Sequence, residues 1–144
     1  MIVKAAEQGL AQDDRDSIVA RYTTRFQQYG IDIRTLSPGS EAKHRIQHTV
    51  HSSVGELLGT TILDVGCGLA HYYAFLKERG LQVRYIGYDI VPVFIEINRE
   101  RYPEAEFVLR DVSCDGIAHT PDYVTMCQVF NNRYAGVDNE DVRA

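Results

Sequence analysis

No run of apolar residues in this 144-residue chain approaches the length that a membrane-spanning helix needs. The opening stretch MIVKAAEQGLAQDD also lacks the apolar core of a secretory signal, so the cytoplasm is the expected compartment and no membrane partner is expected. Basic charge is short as well: 15 Lys and Arg stand against 20 Asp and Glu, a net charge of −5. That weighs against a surface built to track phosphates, so no nucleic-acid partner is expected. Cysteine is scarce. Cys67, Cys114 and Cys127 form an odd set without zinc-like spacing, which reads as reduced thiols and gives no metal site. Internal repeats and low-complexity tracts are missing too.

What is present suits one packed domain: 44% of residues are hydrophobic, and the length is that of a single domain. Residues 13–30 read as a helix, with Ile18, Tyr22, Phe26 and Tyr29 on one face, acidic residues at its start and Gly30 at its stop. Residues 32–43 form a connector broken by Pro38 and Gly39, and a second helix is expected over 41–58, with Ile46, Val50, Val54, Leu57 and Leu58 as its apolar positions. After Gly59 the pattern changes. Strands are expected at 61–65, 83–90, 105–112 and 122–130. Helices at 70–80 and 92–102 separate the first three, and a loop at 113–121 precedes the fourth. The alternation indicates an α/β fold: a parallel sheet with helices on its faces.

The informative stretch is ILDVGCGLAHYY, residues 62–73. Parallel sheets bind ligands beyond the carboxyl ends of their strands. Gly66 and Gly68 let the backbone turn sharply and approach a ligand there, and the amides opening the next helix point into the same crevice. Asp64 discriminates between ligands. A carboxylate beside the glycines repels the pyrophosphate of a nicotinamide dinucleotide. It suits the ammonium and sulfonium of S-adenosylmethionine. Asp89, ending the second strand, can accept hydrogen bonds from both ribose hydroxyls. Asp111 can accept from an adenine amino group, with Val112 offering its amide to the ring.

With these residues in place, 60–130 resemble the class I S-adenosylmethionine-dependent methyltransferases. ILDVGCG is similar to their first motif, YIGYDI to the second, FVLRDV to the third and PDYVTMCQVF to the fourth. The resemblance implies a Rossmann-like sheet of order 3-2-1-4. It also implies an N-terminal helical lid (1–58) and a cofactor-binding core (59–144) within one domain. Carried onto this chain, Asp64, Gly66, Cys67 and Gly68 line the methionine end. Asp89 and Ile90 hold the ribose and flank the adenine, and Asp111 and Val112 meet the adenine edge. Gln128 lies beside the sulfonium, and Arg45 on the lid partners the cofactor's carboxylate. Ala70 stands where many members have a third glycine. The run QVFNN at 128 departs from the pattern with which DNA amino-methyltransferases hold a flipped base, which points to a small-molecule methyl acceptor.

The family sheet has seven strands, and four are read here. The strand at 122–127 is then an edge with unpaired backbone groups. Three readings follow: a piece of a longer enzyme, a homodimer pairing edge to edge, or completion by a partner chain. A non-catalytic cofactor-binding or assembly module is the alternative to a complete enzyme. In-line methyl transfer needs positioning more than a base. His71, His119 and the lid histidines are the bases considered, and none is assigned. His44, His48 and His51, at i, i+4 and i+7, are expected to form a polar lid face and not a metal site. Cys67 is expected to pack as a small residue with no nucleophilic role.

Overall fold

The computed structural model describes residues 12–36 and 41–126. Four strands, β1 (Thr61–Val65), β2 (Arg84–Asp89), β3 (Glu106–Leu109) and β4 (Tyr123–Met126), form one parallel sheet in the order β3-β2-β1-β4. Three helices precede it: α1 (Gln12–Tyr29), α2 (Ile33–Leu36) and α3 (Glu41–Ser52). Three more connect its strands: α4 (His71–Glu78), α5 (Pro92–Arg101) and α6 (Val112–Asp115).

The sheet is Rossmann-like, and its strand period of two builds two separate cores. Ile62, Tyr85 and Phe107 project to one face, where Tyr72, Tyr73, Phe75 and Leu76 of α4 and Ile95 of α5 cover them. Tyr73 stacks on Tyr85 with ring centroids 4.6 Å apart. Leu63, Val65, Ile86 and Tyr88 occupy the other face. Local chemistry sets the helix ends. Gly80 (φ 71°) closes α4: its amide donates to Lys77 O at 2.9 Å, and the Leu81 amide donates to Leu76 O at 3.0 Å. This is a Schellman stop. Pro92 opens α5, where its missing N–H costs nothing. The three connections all return the chain to the same pole, so β1, β2 and β3 end side by side.

Several expectations are corrected. The second helix ends at Ser52, not residue 58, because the Ser53 amide and hydroxyl both fall back onto Val50 O, at 3.1 and 2.7 Å. Its faces are also reversed. Ile46, Val50, Val54 and Leu58 are exposed, while His44 and His48 are buried. The surface α3 meets is aromatic: His48 lies 5.4 Å from the Tyr72 ring and 5.3 Å from the Phe75 ring. An imidazole stacks there, and the Ser52 and Tyr72 hydroxyls meet at 3.3 Å beside it. The connector after Gly30 contains α2, started by Asp32 Oδ1 accepting from the Arg34 amide at 2.9 Å. The third strand is shorter than expected, because Asp111 leaves the sheet to cap α6.

Candidate functional site

The glycine turn leaves β1 at the centre of the sheet. Gly66 (φ 75°) and Gly68 (φ 53°) are both left-handed, and Ala70 (φ 59°) is the one non-glycine with positive φ among the described residues. A left-handed alanine costs roughly 1–2 kcal/mol, which explains why glycine suits this position in the related motif. The turn is tied to β2. The Gly66 and Cys67 amides donate to Tyr88 O at 2.8 and 3.0 Å, and the Gly68 amide donates to Asp89 Oδ2 at 2.9 Å. From α5, Asn98 donates to Gly68 O at 2.7 Å and Arg101 to Leu69 O at 3.3 Å. Sequence reasoning missed Asn98. The signal available was a lone amide on the buried face that carries Phe94 and Ile95.

The three strand-end carboxylates lie at the same pole of the sheet, in different states. Asp89 holds one backbone amide on each oxygen, Gly68 on Oδ2 and Val91 on Oδ1 (3.0 Å). A carboxylate offers about four acceptor positions, and the amides of Gly68, Val91 and Ile90 engage part of that capacity, leaving room for a further donor. Burial raises its pKa, opposed by the amides of Val91, Gly68 and Ile90. Asp64 stands behind the turn. It is 4% exposed, accepts the Tyr85 hydroxyl at 2.5 Å, and does not line an open wall. Its pKa is raised to about 7, chiefly by burial; the Tyr85 bond opposes this and the nearby Asp89 charge adds to it. Asp111 is 8% exposed and fully engaged. Its Oδ1 accepts from the Ser113 amide (2.9 Å) and hydroxyl (2.5 Å), and its Oδ2 pairs with Arg15 of α1 at 2.8 Å.

The N-terminal segment packs over this turn and the start of α5. Leu36 lies so close to Gly68 that a side chain added there would meet Leu36 Cδ2 at 2.8 Å. Tyr22 and Phe26 pack edge-on to Phe94, with centroids 6.0 and 6.2 Å apart. Ile90 is partly buried against the same cluster. Val112 packs on the opposite face with Leu63 and Tyr88. Cys67 turns its side chain into the core, against the backbone of Gly87, and burial holds its thiol well above its ordinary pKa. It contributes backbone, not a reactive sulfur.

Arg45 does not reach the turn. It pairs with Glu78 at 3.1 Å, at the end of α4 remote from the glycines, because the inward face of α3 carries the histidines instead. Gln128 and Cys127 lie outside the described residues. His71 opens α4 beside the turn, and its Nδ1 is buried without a partner among the described residues. His119 is elsewhere, clamped on the other face of the sheet between Tyr88 (2.5 Å) and Glu106 (2.9 Å). Among the described residues, no group of three or more His, Cys, Asp or Glu side chains is placed to hold a metal. No described helix is long and apolar enough to cross a membrane.

A family model described as a methyltransferase domain matches residues 62–142. Curated protein sequences give no match. Solved structures share the fold at low identity. Magnesium protoporphyrin IX methyltransferase from Synechocystis PCC 6803, with bound SAM, aligns at TM-score 0.59 and 17% identity, over 85% of this chain and 65% of that one. A SAM-dependent methyltransferase from Thiobacillus denitrificans, in complex with S-adenosyl-L-homocysteine, aligns at TM-score 0.52 and 15% identity, over 74% of this chain and 42% of that one. A complex of the Haloferax volcanii Trm112 methyltransferase activator with a methyltransferase aligns at TM-score 0.51 and 20% identity, over 84% of this chain and 48% of that one. The chain thus spans 65% or less of these structures.

Proposed function

The chain belongs to the methyltransferase-domain family, and on that premise we propose that it binds S-adenosylmethionine at the glycine turn and directs its methyl group to a small-molecule acceptor. The observation that carries this reading is the Asp89–Gly68 unit. One carboxylate fixes the turn through the Gly68 amide and retains acceptor capacity that a ribose hydroxyl can use. The cofactor supplies an activated methyl on a sulfonium. The protein's part is to position, to exclude water and to favour positive charge. Gly66 is exposed, so its backbone is open to a ligand. Asp64 acts from behind the turn through a low-dielectric core, where its charge is felt more strongly than in water. Titrating the chain with S-adenosylhomocysteine and with NAD in a calorimeter tests the reading. Binding of the first and not the second is expected; preference for NAD overturns it.

The near-neutral pKa of Asp64 gives a further expectation. Its ionised form favours the cofactor's ammonium, so affinity rises with pH as the group deprotonates. S-adenosylhomocysteine should bind several-fold tighter at about pH 7.5 than at about pH 6. Asp64→Asn should flatten that profile; an unchanged slope in the variant removes Asp64 from the site.

One observation favours completion by another strand. Val124 and Met126 of β4 are 46% and 45% exposed, and β4 pairs only with β1 among the described residues. We propose that a further strand, from a continuation of this chain in a longer enzyme, from a second copy or from a partner chain, pairs with this edge. The activator complex among the similar structures supports a partner in such an assembly. Size-exclusion chromatography with light scattering reads the outcome: a stable monomer refutes pairing between copies.

A further inference from the structure

Resting on the cofactor reading above, we propose that Arg15 is a latch: by occupying Asp111 it holds α1 across the strand ends, and the cofactor's adenine must displace it to reach that carboxylate. Asp111 Oδ1 takes the Ser113 amide and hydroxyl, and Oδ2 takes Arg15 at 2.8 Å and the Cys114 thiol at 3.7 Å. Those four donors fill the positions that one carboxylate offers. Ser113 and Cys114 are part of the short helix that Asp111 caps, so their bonds are local and travel with it. Arg15 alone comes from a distant element, some hundred residues earlier. Moving α1 is therefore the route that frees an acceptor without unravelling α6.

The latch is built to open. The Arg15 side chain is 28% exposed, so water can replace Asp111 as its partner. Its Nε is buried without a partner among the described residues, a cost that release removes. Arg15 also donates to the Cys114 sulfur at 2.8 Å, and apolar contacts add to the hold on this segment: Tyr22 and Phe26 on Phe94, and Leu36 over Gly68. Arg15 and Leu36 thus cover both ends of the proposed cofactor crevice, Asp111 at one and the glycine turn at the other. Arg15 is in this account a positioning residue, acting through α1, and touches no reacting atom.

The test compares the parent chain, Arg15→Gln and Arg15→Lys by calorimetric titration with S-adenosylhomocysteine, with amide hydrogen exchange read across residues 12–29. Removing the competitor should tighten binding by roughly five- to tenfold in Arg15→Gln, with a smaller gain in Arg15→Lys. Exchange in α1 should quicken in Arg15→Gln, and in the parent once the ligand is bound. Equal or weaker binding by the Gln variant overturns the latch, as does added protection of α1 in the liganded parent. If the parent and both variants all fail to bind, the cofactor reading has failed and takes the latch with it. Equal binding by all three removes the latch alone. Should Arg15→Gln not fold by circular dichroism, the charge-retaining Lys variant carries the comparison.

Discussion

Asp89→Ala abolishes measurable binding of S-adenosylhomocysteine and lowers the stability of the free protein. Two functions are lost together. The ribose loses its acceptor, and the amides of Gly68 and Val91 lose the oxygens they donate to at 2.9 and 3.0 Å. Hydrogen bonds to a charged partner are each worth roughly 1.5–3 kcal/mol, and buried amides left unpaired add a cost of their own. Part of that is recovered, because burial disfavours the Asp89 charge in the native state. We expect a net loss of about 2–4 kcal/mol, and an affinity at least about a hundredfold weaker by calorimetry. Asp89→Asn separates the two losses. It keeps one acceptor oxygen, so the turn holds better than in the alanine variant while the diol is still recognised poorly. An alanine variant that binds like the parent removes Asp89 from the site.

The second large effect concerns α3 and acid. His48 is buried against Tyr72 and Phe75, and its pKa falls to about 4, first through burial and then through His44, His71, His51 and Arg45 nearby. His44 and His71 are lowered as well, burial again leading. A histidine held neutral in the native state stabilises fully above its unfolded pKa near 6.5. That contribution is lost as pH falls towards the folded value, because the unfolded chain then binds the extra proton. For His48 the window runs from about 6.5 down to about 4, and the loss is on the order of 2 kcal/mol. Asp64 has the opposite sign across an overlapping range: its folded pKa is raised, so its contribution is greatest in acid and declines as pH rises towards 7. The diagnostic quantity is therefore a difference. In urea unfolding, the parent should lose stability relative to His48→Phe, which keeps a ring against Tyr72, as the pH is lowered from 7 to about 4.5. Parallel curves contradict the assignment.

How much of this was readable from residues alone follows from which forces act locally. β1 and β2 and the two glycines are written in short-range chemistry: β-branched and aromatic runs ending in small residues. The carboxylates at successive strand ends were visible because a parallel sheet delivers every strand end to the same pole. The inward face of α3 was not readable. Periodicity assigned Ile46 and Val50 to the core, yet the surface that α3 meets is aromatic and partly polar, a tertiary fact that favours imidazole. Arg45 was misplaced for the same reason. Arg15 and Asn98 were invisible because each meets its partner only through folding, Arg15 at Asp111 and Asn98 at the Gly68 carbonyl. The short helix at Val112–Asp115 falls where the sequence pattern gives the end of a strand and the start of a loop, because the capping role of Asp111 emerges only once the chain leaves the sheet.

The central claim is that the glycine turn and the strand-end carboxylates form one adenosyl-binding crevice. Amide chemical-shift mapping of the labelled chain with S-adenosylhomocysteine tests it most directly. The largest shifts are expected at Gly66, Gly68, Asp89, Ile90 and Val112, and in α1 beside Arg15. Shifts centred instead on Val124 and Met126 beside α3, with the glycine turn unmoved, contradict it.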